Sequence, residues 1–143
     1  MSKHFASASW EGNLIKGNGS YRLKTSGFEN SYSFTTRFED DKSASSPEEL
    51  MGAALSSCFS MALANDLDQA GYKPERIATD AEVLLTKSDG GFTVTEILLK
   101  TRGKVSDITN DKFLEIADAT KKNCPVSRAL QGGPEIKLDA VLE

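Results

Sequence analysis

Polar and apolar residues alternate over much of the first 45 residues, a pattern typical of short β-strands. The pattern appears in FASASWEG and GNGSYRLKTSG, and again in SYSFTTRFED, where Arg37 lies on the face opposite Tyr32 and Phe34. We therefore predict three strands. The first two should be joined by a turn at Gly17–Gly19, because glycine clusters favour turns.

At residue 46 the spacing becomes helical. Ser46 is a typical N-cap, Pro47 suits the first helical position, and Glu48 and Glu49 suit the first turn, where the helix dipole favours acids. Gly71 should end the helix. The small and apolar residues form two stripes: Leu50, Ala53, Ala54, Ser57, Cys58 and Met61 on one, and Met51, Leu55, Phe59 and Ala62 on the other. Because so many sides are apolar or small, we predict a central helix that other backbones approach closely.

Two more alternating segments, residues 77–87 and 91–105, predict strands joined by the turn SDGG. A second helix over residues 111–123 would be capped by Thr109 or Asn110. It should stop at Cys124, because the residue before a proline avoids the helical region.

The chain should close with a short helix at residues 125–130 and a strand at residues 134–143. The order βββ-α-ββ-α-β does not suggest parallel strands with crossover helices. It predicts an antiparallel sheet with helices packed on one side, an α+β fold. At 143 residues the chain fits a single domain, residues 1–143.

Composition narrows the functional classes. The net charge is −4 and acids and bases are mixed along the chain, so no basic stripe points to nucleic acid. The start, MSKHFASASWEG, lacks the apolar core of a secretory signal, and no apolar run approaches the length needed to span a membrane. We expect a cytoplasmic protein, in which a disulfide is more often transient and catalytic than structural.

Cys58 and Cys124 are the only cysteines. Each could be a small hydrophobic core residue. With His4 as the only histidine, neither a zinc site nor a Cys-His nucleophile is favoured. Two features point to reactivity instead. Amides at the start of a helix after Cys124 would favour a thiolate, and Arg37, otherwise an exposed strand residue, could pair with a thiolate near Cys58.

Three segments closely resemble the OsmC family of osmotically inducible peroxidases. They are TRFE at 36–39, SPEELMGAALSSCFSMAL at 46–63 and CPVSRAL at 124–130, and the opening WEGNLIKGNG is similar as well. The resemblance runs along nearly the whole chain. It implies an α+β fold in which antiparallel sheets from two chains wrap two long central helices, as an intertwined homodimer with active sites at the interface.

The resemblance also implies a cysteine-based peroxidase that needs neither metal nor cofactor. Cys58 would be peroxidatic and Cys124 resolving, and a dithiol such as one of the lipoyl type would reduce the resulting Cys58–Cys124 disulfide. Arg37 would activate the thiolate and the peroxide, and Glu48 would hold the arginine. Glu49 fits less well, since the family's carboxylate directly follows the proline.

The predicted helix constrains how these residues can meet. Glu48 and Cys58 are ten residues apart, which is about 15 Å along a helix axis and roughly 80° apart around it. Glu48 should therefore not serve Cys58 of its own chain. We expect Arg37 and Glu48 to reach Cys58 of a second copy across a two-fold axis.

Leu55, Phe59 and Met61 neighbour Cys58 in sequence, and some of them are expected to be core. An apolar entrance would favour organic hydroperoxides over hydrogen peroxide. Two other functions stay open. One is a non-catalytic module that binds a small molecule in the same apolar cleft, with inert cysteines. The other is a general disulfide oxidoreductase, which ranks last because no C-x-x-C pair is present.

Overall fold

Two three-stranded β-sheets and four helices form the regular structure, which the computed structural model describes over all residues from Met1 to Glu143. The chain divides into two compact units, residues 1–50 and 51–143. The first holds β1 (Ala6–Glu11), β2 (Asn18–Leu23), β3 (Glu29–Ser33), α1 (Phe34–Phe38) and the first turn of α2 (Pro47–Gln69). The second holds the rest of α2, β4 (Lys73–Ser88), β5 (Gly91–Ser106), α3 (Asn110–Asn123), α4 (Pro125–Ala129) and β6 (Glu135–Leu142).

The sheet of the first unit is an antiparallel meander in the order β1-β2-β3. Gly19 pairs with Trp10 on one side and Tyr32 on the other, and the two rings lie 5.5 Å apart. A Cβ at position 19 would come within 2.4 Å of the Tyr32 ring, so only glycine fits there. The predicted turn at Gly17–Gly19 is therefore displaced. Gly19 lies inside β2, and the connection covers residues 12–17.

The third predicted strand is shorter than expected. It ends at Ser33, and Arg37 lies in the short helix α1 instead of on a strand. A capping box explains the change. The Ser33 Oγ accepts a hydrogen bond from the Thr36 N–H at 3.2 Å, while the Thr36 Oγ1 accepts one from the Ser33 N–H at 2.9 Å. These local bonds outweigh the alternation that predicted a continuing strand.

In the second unit, β4 and β5 form the predicted hairpin, and β6 pairs with β5 in parallel. The expectation of a purely antiparallel sheet was therefore wrong. Parallel neighbours need a crossover of a dozen or more residues, and α3 with α4 supplies it between β5 and β6. The predicted caps are confirmed for α3, where the Thr109 side chain accepts from the Lys112 N–H.

One stripe of α2 forms the core of the second unit. Leu55, Phe59, Leu63 and Leu67 follow one another at four-residue spacing and are fully buried. They belong to one cluster with residues of β5 and α3, namely Ile97, Leu99, Val105, Phe113 and Ala117. The other predicted stripe faces outward in this chain. Its Met61 is 73% exposed, so α2 is covered on one side only.

The ends of α2 follow the predicted signals. The Ser46 Oγ accepts from the Glu49 N–H at 3.1 Å. Gly71 has φ +88° just beyond the helix, where the Tyr72 N–H donates to the Leu67 carbonyl at 3.0 Å. By length and composition alone, α2 is long and apolar enough to span a membrane. This differs from the expectation that no apolar run in the sequence approaches that length. Its buried leucines show it packed as the core helix of a folded unit.

Close packing between β5 and α3 gives a test of this core. A Cβ added at Gly103 would lie 2.5 Å from the Phe113 Cε2 atom, and the Phe113 ring is fully buried. We predict that Gly103→Ala lowers the free energy of unfolding by about 1–3 kcal/mol, because overpacking forces the ring to move. Urea denaturation measures the change.

Gly90→Ala is the matched control. Its nearest contact would be the Ser88 Oγ at 3.9 Å, so the added methyl group makes only an ordinary van der Waals contact. Equal unfolding free energies for the two variants would contradict the described packing.

Candidate active site

Cys124 lies at the junction between α3 and α4. Its N–H donates to the Thr120 carbonyl at 2.9 Å, which closes α3, and its ψ of 140° takes the chain out of the helix. Pro125 then begins α4, where a proline costs no hydrogen bond. The Cys124 carbonyl accepts the Arg128 N–H at 3.0 Å. One residue thus ends one helix and caps the next.

The sulfur of Cys124 points back into α4. Its Sγ accepts from the Ser127 N–H at 3.4 Å and lies 3.1 Å from the Ser127 Oγ. Both residues are almost completely buried, Cys124 at 2% exposure and Ser127 at 3%. The sulfur therefore has a backbone donor and a hydroxyl partner on α4 and is shielded from solvent.

Cys58 lies half-buried on α2, one residue before the core residue Phe59. Burial raises the pKa of the Cys58 thiol, a hydrogen bond from the Val126 N–H opposes this, and contact with Cys124 raises the pKa further. None of these groups is a cation. The structure thus brings Cys58 and Cys124 together as free thiols and favours a neutral Cys58.

A partly buried hydrogen bond connects α2 and α3 close to Cys124. The Thr120 Oγ1 lies 2.6 Å from the Asp66 Oδ2 and 2.9 Å from the Ile116 carbonyl, and Thr120 is fully buried. Because Thr120 also accepts the Cys124 N–H, this bond connects α2 to the residue that closes α3. Asp66 is not among the site residues predicted from the sequence. The sequence signal that could have identified Asp66 is its position seven residues after Phe59, which places a carboxylate on the buried stripe of α2.

Arg37 and Glu48 form an ion pair within the first unit. The Arg37 Nε lies 3.0 Å from the Glu48 Oε1 and 3.2 Å from Oε2, and Nη2 lies 2.7 Å from Oε1. The Glu48 side chain is 10% exposed and that of Arg37 is 37% exposed. The guanidinium also lies 5.1 Å from the centre of the Phe38 ring. The contacts with Glu48 are therefore made through Nε and Nη2.

The neighbouring acids differ from Glu48 in burial. Glu39 and Glu49 are exposed, whereas Glu48 is buried, so Glu48 is the carboxylate that holds Arg37 within this unit. No group of three or more His, Cys, Asp or Glu side chains is arranged to hold a metal ion.

The expected apolar entrance is smaller than the sequence suggested. Leu55 and Phe59 are fully buried in the core, so they do not line a surface near Cys58. Met61 is exposed and lies three residues after Cys58, a spacing that places both on one helix face. Of the three candidates, Met61 alone can contact a molecule that reaches the sulfur.

Comparison with known proteins places these features in a family. A family model described as OsmC-like protein matches residues 39–139. The chain is 44% identical over 138 residues to Peroxiredoxin OsmC of Escherichia coli, covering 95% of this chain and 94% of that protein. It is 27% identical to the organic hydroperoxide resistance protein OhrB of Bacillus subtilis, covering 71% of this chain and 73% of that protein.

Solved structures show the same fold. An organic hydroperoxide resistance protein from Elizabethkingia anophelis superimposes with a TM-score of 0.78 at 22% identity, covering 99% of each chain. OhrB of Bacillus subtilis gives a TM-score of 0.75 at 22% identity, covering 95% of this chain and 97% of that one. With its mixed sheet and helix architecture, its matching residues 39–139 and its 44% identity to a curated member, the chain belongs to the OsmC-like family.

Proposed function

We propose that the protein is a thiol-dependent peroxidase that reduces organic hydroperoxides to alcohols. The observation that carries the proposal is the contact between two free cysteines, Cys58 half-buried and Cys124 fully buried, in a chain 44% identical to Peroxiredoxin OsmC. This pairing suits one thiol that meets the substrate and one that acts on the product of that reaction. The role is oxidative defence in a reducing compartment such as the cytoplasm, where both thiols stay reduced between turnovers.

In the first step the Cys58 thiolate attacks the distal oxygen of the hydroperoxide. The O–O bond breaks, the alkoxide takes a proton and leaves as an alcohol, and Cys58 becomes a sulfenic acid. The thiolate is the reacting species, because a protonated thiol is a poor nucleophile.

In the second step the Cys124 sulfur attacks the sulfenic acid, water leaves and a Cys58–Cys124 disulfide forms. Such a bond requires alpha carbons within roughly 7 Å, and the existing contact between the two side chains supports this. An external dithiol then restores both thiols by exchange and is itself oxidised to a disulfide.

The first step needs a cation beside Cys58. Burial and Cys124 both raise the pKa of the Cys58 thiol, and the Val126 N–H opposes them only in part. Arg37 is our candidate, because a guanidinium keeps its charge when buried and its fork can hold a thiolate and a peroxide oxygen together. Its hydrogen bonds to Glu48 through Nε and Nη2 fix the position of the guanidinium.

We place Arg37 and Glu48 of one chain beside Cys58 of a second chain in a two-fold homodimer. The ten-residue separation of Glu48 and Cys58 along α2 supports this arrangement, since helical geometry points them in different directions. The uncovered face of α2, where Met61 is 73% exposed, supports it as well. In such a dimer the sheets of both chains would enclose the two α2 helices.

The substrate follows from the surroundings of Cys58. Met61 lies on the same face of α2 as Cys58 and offers apolar surface. Such a surface stabilises the hydrocarbon part of an organic hydroperoxide, which hydrogen peroxide lacks. The names of the relatives from Bacillus subtilis and Elizabethkingia anophelis point to organic hydroperoxides in the same way.

Thiol titration tests the peroxidase directly. We predict that one equivalent of cumene hydroperoxide removes two free thiols per chain, because sulfenic acid formation at Cys58 is followed by disulfide formation. Cys124→Ser should lose one thiol and react with dimedone, a sulfenic acid reagent, and Cys58→Ser should lose none. Wild-type protein that keeps both thiols would instead support a module that binds small molecules and has inert cysteines.

The pH dependence of Cys58 tests the role of Arg37. In a Cys124→Ser background Cys58 is the only thiol, and its alkylation rate by iodoacetamide reports the thiolate fraction. A neighbouring cation shifts a pKa by about 1–3 units, so Arg37→Ala should slow alkylation at pH 7 about 10- to 1000-fold. Since burial raises the pKa, the rate of that variant should keep rising with pH beyond about 8.5, the ordinary thiol value.

Arg22→Ala serves as the control, because Arg22 is an exposed residue of β2 in the same unit as Arg37. Identical alkylation profiles for Arg37→Ala and Arg22→Ala would exclude Arg37 as the activating cation.

Mixed dimers test the shared site. When Cys58→Ser and Arg37→Ala chains are combined, one site of the heterodimer loses both functional groups and the other keeps both. Peroxidase activity should return to about half that of the wild-type dimer. Heterodimers verified by differential tagging that stay inactive would show that both groups act within one chain.

A further inference from the structure

We propose that Ser127 is a catalytic residue of the reductive half-reaction, in which a dithiol attacks Cys58 and Cys124 is the leaving group. The inference rests on the proposed function. It names Cys58 as the sulfur that the reductant attacks, and Ser127 as the hydrogen-bond donor to the Cys124 thiolate that leaves.

The contact of Ser127 with Cys124 is direct. The Ser127 Oγ lies 3.1 Å from the Cys124 Sγ, and the Ser127 N–H donates to the same sulfur at 3.4 Å. Both residues are at least 97% buried, so water does not compete for these bonds. A hydrogen bond to a charged group is strongest in such a site, because the low dielectric and the absence of water both favour it.

The two sulfurs differ in the donors that serve them. Within this unit a single backbone amide, that of Val126, donates to Cys58. Cys124 has the next amide, of Ser127, together with the Ser127 hydroxyl. Within residues 51–143, Ser127 therefore gives the departing Cys124 thiolate a hydroxyl partner in addition to a backbone amide, whereas Cys58 has an amide alone.

The difference in solvent exposure between the two cysteines indicates that the dithiol attacks Cys58. Cys58 is half-buried, whereas Cys124 is 2% exposed, and a second chain can only reduce the exposure of either residue. The cavity beside α4 is lined by Ser127, Lys121 and Leu130, among others, and by neither cysteine. A dithiol must approach along the S–S axis, and only the Cys58 end is open to solvent.

The step balances as an ordinary thiol–disulfide exchange. The dithiol's thiolate forms a bond to the Cys58 Sγ, the S–S bond breaks, and its electron pair goes to the Cys124 Sγ. The Ser127 hydroxyl donates a hydrogen bond to this thiolate, which then takes up a proton. The second thiol of the reductant displaces Cys58, so two electrons and two protons pass from the dithiol to the cysteine pair.

A half-reaction assay tests the role of Ser127. The disulfide is made with diamide, so that the assay does not depend on peroxidase activity, and its reduction by dithiothreitol is followed by stopped flow. Ser127→Ala should slow reduction about 10- to 100-fold, as for the loss of a hydrogen bond to a charged group. Ser127→Thr, which keeps the hydroxyl, should restore most of the rate, and Ser88→Ala, at the exposed β4–β5 turn, should match wild type.

A second readout separates catalysis from packing. The oxidation of Cys58 by cumene hydroperoxide should proceed at the wild-type rate in Ser127→Ala, because Ser127 contacts Cys124. An unchanged reduction rate, or an equal slowing of both half-reactions, would overturn the assignment. If the wild-type protein has no peroxidase activity but its disulfide is reduced normally, that result would count against the proposed function and not against the role of Ser127.

Peptide mapping tests the direction of attack on wild-type protein. The oxidised protein is treated briefly with 2-mercaptoethanol, free thiols are blocked with N-ethylmaleimide, and the chain is cut with trypsin. Cleavage after lysine and arginine separates the cysteines into residues 43–76 and 123–128. The mercaptoethanol adduct should be on the first peptide and maleimide on the second. An adduct mainly on residues 123–128, or divided equally, would overturn the proposal.

Discussion

The last backbone hydrogen bond of α3, from the Cys124 N–H to the Thr120 carbonyl, determines where the elements around both sulfurs lie. Pro125 prevents the helix from continuing through Cys124, so the chain turns there and begins α4. The first turn of α4 then presents the amides of Val126 and Ser127 to the two sulfurs. The Thr120 hydroxyl is itself hydrogen-bonded to the Asp66 carboxylate of α2, so the residue that closes α3 is connected to the helix that carries Cys58.

Charge imposes a second constraint on the proposed chemistry. Burial that keeps water away from a reactive sulfur also makes the thiol harder to ionise. Burial accordingly raises the pKa of the Cys58 thiol. For the proposed role an arginine is better suited than a lysine, because a buried lysine readily loses its charge. Glu48 weakens the field of Arg37 but fixes the position of the guanidinium through its Nε and Nη2.

Much of the fold was predictable because its signals are local. Ser46, Pro47 and Gly71 mark the ends of α2, and the proline after Cys124 marks the end of α3. The errors have physical causes. Alternation in β6 identifies a strand but not the direction of its neighbour, and the capping box at Ser33 converted an apparent strand at Arg37 into α1. Helical periodicity also predicted two apolar stripes on α2. It did not indicate which of them would pack against other elements of the same chain. The contact between the cysteines depends on the crossover through α3 and α4, which sequence spacing does not encode.

The difference in burial between the two cysteines assigns their roles in the proposed cycle. A hydroperoxide can reach half-buried Cys58, whereas Cys124 is shielded and meets only what forms on Cys58. An adjacent internal thiol reacts at a high effective concentration, so the sulfenic acid is captured before a second peroxide oxidises it further. The same burial opposes the ionisation on which the first step depends. None of the groups that shift the pKa of Cys58 is a cation, and for this reason the proposed function assigns the activating charge to Arg37, which Glu48 anchors in the first unit.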